Sequence, residues 1–541
     1  MQEFDVVIAG GGATGLRAAI AAKRAGASVA LLTKIHPLRS NSGLACGGLN
    51  APLGRDDSAA AFAEDIMLAG DGINDRDVVR AFTESARDDV IWLEKMGAPF
   101  NRDSDGRLDR RSLGANRHQR ACYADDWTGH IVLQVLYEQF QRSGAAMFDD
   151  TFVTSLTVEG SQCIGLTALG LKAGKLDSFS ARAVVLATGG FTQLYRPSTA
   201  SNGTTGDGQS LACTAGARLM DMEMVQFHPT VFPGRYALMI TEAALAEGAQ
   251  IVNQKGEQVV LSNGIPREKL CLLIKYALQN GGGPVMLDLR PIGKDKLAAR
   301  FAQTSELVKA AAGLDIAKDP IPIAPAAHRP IGGIETNARG ETSIPGLFAA
   351  GECACNGLNG AGRLAGNILT EAIVFGRTAG EAAAAFAKSS QKRPYPPSRL
   401  SDEEKRLAAL AGDSSANAGD SLGKVQADLG QLMSERAGLV RDANSLQGAL
   451  DGIRGLRERY SKLRVRNASM VFNYDLISCL ETGALLNMAD AMTAAAQARK
   501  ECRGAHNRTD FTAHDDTNCK CHTIVSLTQG ALQVATKPLA G

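Results

Sequence analysis

Residues 4–9 run apolar and β-branched without a break and stop at Gly10. Residues 16–25 follow as an alanine-rich stretch closed by Gly26, and residues 29–32 form a second short apolar run. Strand, glycine turn, helix and strand make a βαβ unit, and the unbroken apolar runs suit strands buried on both faces. The pattern predicts an α/β fold built on a doubly wound nucleotide-binding domain. Residues 183–187 leading into Thr188-Gly189-Gly190, and residues 347–350 leading into Gly351, read as further buried strands that end in tight turns. Between them the pattern is interrupted. This predicts an inserted capping α+β domain over 222–328, with the nucleotide-binding domain assembled from 1–221 and 329–387. A Ser-, Lys- and Pro-containing stretch at 389–398 reads as a linker. Residues 398–500, rich in Ala, Leu, Glu, Lys and Arg at helical spacing, predict an antiparallel helix bundle, followed by a C-terminal segment over 501–541.

Length and charge narrow the picture. A chain of 541 residues is too long for one hydrophobic core. With 58 basic against 57 acidic side chains there is no global field to attract nucleic acid or an anionic membrane, and no nucleic-acid partner is expected. The first residues carry no basic region, long apolar segment or small-residue cleavage site, and no run approaches the length of a membrane span. A cytoplasmic protein is expected, peripheral on the inner face of the cytoplasmic membrane only through a partner. The eleven cysteines are scattered, and Cys353/Cys355 and Cys519/Cys521 stand one residue apart rather than at the two-residue spacing common in zinc and iron–sulfur sites. No metal is assigned.

Gly10-Gly11-Gly12-Ala13-Thr14-Gly15 fits the dinucleotide fingerprint, directly after a strand and opening a helix. Glycines there let the backbone approach a pyrophosphate, whose charge the helix N-terminus meets. A structural glycine turn is the alternative for such a motif taken alone. The acidic residue usual after the second strand of an NAD site is absent, and Thr33-Lys34 stands there instead.

The segment from Leu31 to Ser40, followed by Gly47-Gly48, resembles the second strand and flavin loop of the succinate dehydrogenase and fumarate reductase flavoproteins. Further matches follow in family order: Ala187-Thr188-Gly189-Gly190, Thr205-Gly206-Asp207-Gly208, Gln226-Phe227-His228-Pro229-Thr230, the stretch from Pro345 to Glu352, and Arg503-Gly504-Ala505-His506. The resemblance covers essentially the whole chain. It implies FAD, held by Gly10, Gly12, Ala13, Thr14 and Gly15, by Thr33, Lys34, Ser40, Asn41, Gly47 and Gly48, and by Thr188, Gly189, Asp207 and Glu352. Asn367 is expected among the FAD contacts, and Ile368 and Leu369 beside the flavin ring. Many members carry, just after the Arg-Ser pair, a histidine joined covalently to the flavin. Asn41 occupies that position and its amide cannot form the bond, so non-covalent FAD of lowered oxidising power is expected.

The resemblance also implies a hydride exchanged between flavin and one carbon of a dicarboxylate while a proton is exchanged at the next carbon, which needs cations for two carboxylates and a poised acid/base. His228 and Thr241 match carboxylate contacts from the inserted domain, and His328 and Arg363 match those from the flavin side. Arg267 matches the proton-transferring arginine. Glu242 and Glu268 match the carboxylates that relay protons to it. Each has a plainer reading. His228-Pro229 alone suits a turn, Arg363 among glycines suits a pyrophosphate contact, and Arg267-Glu268 suits a surface pair at a helix start. His118, Arg503 and His506 also match family positions and are expected near the flavin or in packing.

Several positions depart from the family. Cys46 replaces a glutamine, Leu245 an arginine, and Asn359, Gly362 and Ile368 replace His, Asn and Ser around Arg363. These changes are expected to remove polar groups near the flavin and to widen the space beside Arg363. The loop from Gly248 to Arg267 also looks shorter. An L-aspartate oxidase-like enzyme is the nearest alternative, but it places a glutamate for the substrate ammonium where Leu113 stands, and an apolar side chain cannot pair with an ammonium group. A flavin electron-transfer subunit without dicarboxylate turnover is the other. A small dicarboxylate and an iron–sulfur protein subunit are the partners the resemblance implies.

Overall fold

The computed structural model describes residues 1–234, 237–261, 264–281, 283–412 and 420–539. Parts of the expected capping, helical and C-terminal segments, including 262–263 of the Gly248–Arg267 loop, therefore lie outside the described residues.

The first sheet sets the frame. Strand Gln2–Ala9 lies parallel between Val29–Leu32 and Lys175–Leu186, with Val6 opposite both Val29 and Ala183. Ala146–Phe148 extends the sheet beyond Val29–Leu32. Leu347–Ala349 joins the other flank, parallel to Lys175–Leu186, while Gln162–Gly170 and Thr151–Glu159 add an antiparallel meander. Val6, Val7, Ile8 and Leu31 are fully buried, as expected of strands covered on both faces. One cover is helix Ala13–Arg24, which begins where the first strand ends. It packs against the long helix Asn367–Ser389, and the two backbones come close. A Cβ on Gly376 would stand 2.7 Å from the Thr14 carbonyl oxygen, and one on Gly380 would stand 2.3 Å from that of Ala18. The second half of the cofactor domain is thus clamped onto the first turns of the chain.

The inserted segment forms a second sheet. Val225–Pro233 pairs antiparallel with Ile321–Pro330, and Val285–Asp288, Gln250–Val252 and Gln258–Val260 extend it. These strands and helices Arg267–Asn280, Lys294–Arg300 and Ala302–Ala312 bury a separate apolar core that includes Ile240, Ile251, Ile274, Leu287 and Phe301. The strand Ile321–Pro330 runs without interruption through His328 and Arg329, across the expected boundary between the capping and cofactor parts.

Helices Pro397–Ala408, Leu422–Arg436, Ala443–Lys462 and Tyr474–Ala498 form the helical region. Its apolar faces continue the core that holds Val184, Leu186 and Leu347. Beyond it the chain makes a hairpin, Cys521–Thr528 with Ala531–Pro538, which adds two strands to the sheet of Leu219–Met220, Gly333–Glu335 and Ala354–Cys355. His522 and Thr523 lock it in place: His522 Nδ1 lies 2.6 Å from Asp221, and the Thr523 hydroxyl donates to Glu223.

Candidate active site

A cleft of about 1100 Å³ opens at the C-terminal ends of the parallel strands. Gly10, Gly12, Ala13, Thr14, Thr33, Lys34, Ser40, Asn41, Thr188, Gly189, Asp207, Glu352, Ile368 and Leu369 all line it. Gly10 sits at φ +112°, and a Cβ there would meet the Ala187 carbonyl oxygen at 2.2 Å, so only glycine lets the strand turn into the helix at this point. Gly12 has no side chain to cap the helix and Ser42 Oγ accepts from the Ala13 amide at 3.2 Å, so the first turn presents its remaining amides to a ligand. Gly15 does not line the cleft; its Cβ would stand 1.8 Å from the Gly10 carbonyl oxygen, so its role is to let the turn close.

The cleft wall carries buried polar atoms without partners: Ser40 Oγ, Glu352 Oε1 and Arg329 Nε. The other Glu352 oxygen accepts from Arg329 at 2.8 Å. A dinucleotide, with phosphates and sugar hydroxyls, supplies what these atoms lack. At the far end Lys34 Nζ donates to Asp207 at 2.6 Å, to Glu481 at 2.7 Å and to Thr205 at 2.9 Å, so its charge is already spent on protein carboxylates. Asn41 Oδ1 accepts from the Ser201 amide at 3.0 Å. Asn367 stays out of the cleft, buried and bonded to Asn50 at 2.7 Å.

Ala45, Arg329 and Ile368 line both this cleft and a second cavity of about 590 Å³, which makes the two continuous. The second cavity collects His228, Thr241, Glu242, Arg267, His328 and Arg363, with Gly47 and Gly48 on its wall rather than in the cleft. The strand pair explains the convergence. Register shifts between Gln226 and Phe227 and between His228 and Val231 set the side chains of Val225–Pro233 against those of Ile321–Pro330, with the His228 and His328 rings 5.0 Å apart. Arg267 opens helix Arg267–Asn280 after Pro266. A cation there opposes the helix dipole, and Glu242 offsets it: Arg267 Nε donates to Glu242 at 2.8 Å and Nη2 to the same oxygen.

Burial dominates the electrostatics. It pushes His228 down to about 3 and His328 well below its usual value, with cationic neighbours adding to the His328 shift, so both rings are neutral. The Thr230 amide donates to His228 Nδ1 at 3.3 Å, which places the ring proton on Nε2. For Glu242, burial alone would raise the carboxyl, but the Arg267 charge outweighs it and holds the group below its ordinary value. Burial likewise opposes the Arg267 charge, and Glu242 reverses the effect, so the guanidinium binds its proton more tightly than usual. Glu268 has no such neighbour in contact, and burial raises it.

Of the two carboxylates expected to relay protons to Arg267, Glu242 touches it and Glu268 does not. Gln226 stands between Glu268 and Arg267, its Oε1 accepting from Arg267 at 2.7 Å and its Nε2 donating to Glu268 at 2.7 Å. Glu268 faces a third cavity of about 1000 Å³, shared with Glu242, Arg267 and Arg363, whose rim carries the exposed Leu68 and Arg117. Arg363 donates to the Pro330 carbonyl at 3.1 Å and its Nε lies 3.5 Å from Glu371, while its Nη1 is buried with no acceptor.

A Cβ on Gly362 would stand 2.3 Å from the Ala69 carbonyl oxygen, so that glycine permits a close backbone approach. Asn359 turns to Glu371 at 3.1 Å, and Leu245 packs in the capping core. Of the five departures, Cys46 and Ile368 line the cavity. Arg503 and His506 belong to the buried network around Arg499, Arg441 and Glu501, which is packing, and His118 lies 3.7 Å from the exposed Asp56. Arg329 and Gln226 had no role in the reading from sequence, although Gln226 stands in a quoted motif and Arg329 follows His328.

A dinucleotide cleft opening into a dry pocket of cations and neutral histidines defines an FAD-dependent oxidoreductase. Residues 5–369 match the FAD binding domain family, and residues 426–540 match the fumarate reductase flavoprotein C-terminal family. The fumarate reductase flavoprotein subunit of Escherichia coli K12 is 38% identical, covering 97% of this chain and 92% of its own. That of Mycobacterium tuberculosis H37Rv is 35% identical over 99% and 97%. A solved quinol-fumarate reductase with menaquinol molecules superposes with a TM-score of 0.95 at 35% identity, covering 100% of this chain and 98% of that one. The chain belongs to the family of fumarate reductase and succinate dehydrogenase flavoprotein subunits, and it carries FAD.

Because His228 is neutral when folded and charges near pH 6.5 when unfolded, the unfolded chain binds the extra proton, and stability present above about pH 6.5 is lost as pH falls toward 3. His228→Asn removes that group. Denaturant titrations should show a loss of stability between pH 7.5 and 5.5 that is smaller by about 1.4 kcal/mol in the variant than in the wild type. Parallel pH profiles would mean that His228 titrates in the folded protein as it does in the unfolded chain.

Proposed function

We propose that this chain is the flavoprotein subunit of an enzyme that interconverts fumarate and succinate, and that its second cavity is the dicarboxylate site. The observation that carries this reading is Arg363, buried with its Nη1 uncommitted on the same wall as Arg267 and two neutral histidines. A dicarboxylate brings the acceptors that these groups lack. FAD held in the cleft supplies the hydride exchange. Arg363 and His328 hold one carboxylate, and Thr241 with the Nε2 proton of His228 holds the other.

Arg267 then gives a proton to the carbon next to the one that receives hydride, or takes it in the reverse direction. Its pairing with Glu242 resists loss of that proton, so transfer and replacement must be concerted. Glu268, raised by burial, is the group that holds a replacement proton, and water in the third cavity joins it to Arg267 around Gln226. Electrons pass to or from an iron–sulfur partner subunit. Among the described residues no helix is long and apolar enough to cross a membrane, so membrane association runs through such a partner. Leu113, buried on the wall of the dicarboxylate cavity, favours a substrate without an ammonium group over the L-aspartate oxidase alternative.

The FAD is held without a covalent bond, since Asn41 gives its carbonyl to the Ser201 amide and offers no nucleophile. Acid or heat precipitation should leave the yellow chromophore in the supernatant; flavin pelleting with the polypeptide would contradict this. The acid/base role is tested by Arg267→Ala and Arg363→Ala, assayed with fumarate and an artificial reductant, with the flavin spectrum reporting the fold. Arg267→Ala should keep FAD and lose roughly 10³-fold or more in kcat. Arg363→Ala should raise KM as well as lower kcat. Near wild-type turnover in Arg267→Ala with flavin retained would remove the assignment.

A further inference from the structure

A fourth, polar cleft, of about 660 Å³, lies on the seam between the cofactor and capping parts of the molecule, lined from one side by Asp109, Arg110 and Arg111 and from the other by Glu247, Lys296 and Arg300. Four cations face two carboxylates there. Both capping-side cations share Glu247, with Arg300 at 2.6 Å and Lys296 in direct contact. Asp109 is taken by the Tyr123 hydroxyl. The cations of the cofactor side are left without a counter-charge: among the described residues neither Arg110 nor Arg111 has a carboxylate within ion-pair distance.

Arg111 is the telling member. It is only 4% exposed, its guanidinium lies over the Tyr123 ring at 4.4 Å, and burial lowers its affinity for its proton. A buried cation without an anion is costly, and here two donors on the cleft wall, Arg111 Nη1 and Arg110 Nε, are buried with no acceptor at all. The remaining Arg111 nitrogens hold the carbonyl oxygens of Gly47 at 2.9 Å, of Cys46, and of Asp125 at 3.0 Å. Cys46 and Gly47 line the dicarboxylate cavity.

We propose that this cleft is a second anion site, which takes a small oxyanion, a carboxylate or phosphate group, between Arg110 and Arg111 on one side and Lys296 and Arg300 on the other. An oxyanion offers in-plane acceptors to guanidinium donors and neutralises the uncompensated charge. Because its two walls come from the two parts of the molecule, an occupant holds the capping part against the cofactor part. Because Arg111 also grips Cys46 and Gly47, the same occupant steadies the floor of the dicarboxylate cavity. The site is separate from the cavity that holds Arg267 and Arg363.

Equilibrium dialysis of the FAD-loaded protein against labelled inorganic phosphate at constant ionic strength tests this. The wild type should bind about one phosphate per chain saturably, and Arg110→Glu combined with Lys296→Glu should weaken that binding at least tenfold while the flavin spectrum is unchanged. Acetate in a parallel arm separates the two ligand sources: displacement of phosphate marks a site for carboxylates as well, and failure to displace it marks a site for phosphate groups. Should the charge-reversed variant lose FAD, Arg110→Gln with Lys296→Gln replaces it with the same expectation. Absence of saturable phosphate binding, or equal binding by wild type and variant, overturns the proposal.

Discussion

The buried pair between Arg267 and Glu242 is the interaction on which the rest of the site depends. Taking both charges out of water is expensive, and such a pair holds only when its remaining hydrogen bonds are met; removing one partner alone costs about 3–5 kcal/mol. Here they are met. Gln226 accepts from Arg267, Glu242 receives two of its nitrogens, and the start of helix Arg267–Asn280 is fixed against strand Val225–Pro233. The dryness that makes the pair costly also strips His228 and His328 of their protons, so the pocket offers a dicarboxylate two arginine charges and neutral donors rather than a diffuse positive field.

The same economy of charge runs through the cofactor cleft. Lys34 is neutralised by Asp207 and by Glu481, a residue of helix Tyr474–Ala498 far along the chain, so the helical region reaches into the cofactor cleft. Helix Asn367–Ser389 does the same for the first turns, through glycines that let it lie against Thr14 and Ala18. FAD therefore sits where distant parts of the chain meet, and its site forms only when they are assembled.

Much of this was legible in the sequence. An unbroken apolar strand entering a glycine turn and an alanine-rich helix has few alternatives, which is why Gly10, Gly12 and Thr14 are found in the cleft. The quoted motifs likewise brought His228, Thr241, Glu242, Arg267, His328 and Arg363 to one cavity. What escaped was whatever depends on register and side-chain direction. That Gln226 separates Glu268 from Arg267 follows from strand shifts with no sequence marker, and Gly362 reads as missing bulk until the Ala69 carbonyl is seen against it. Arg329 was passed over because its neighbour His328 carried the motif, although Arg329, with Ala45 and Ile368, lines both cavities. The C-terminal hairpin was invisible because its first strand is stabilised by pairing to Leu219–Met220, and its second by pairing to the first, rather than by a hydrophobic period of their own.

The central claim is that a dicarboxylate bound between Arg267 and Arg363 exchanges hydride with the flavin, and anaerobic half-reactions test it without any electron partner. FAD-loaded protein reduced by dithionite is mixed with fumarate, oxidised protein is mixed with succinate, and the flavin absorbance is followed. The account predicts saturable reoxidation by fumarate, with succinate reducing the flavin more weakly, as the proposed non-covalent attachment implies. A reduced flavin whose spectrum is unchanged by saturating fumarate would contradict it.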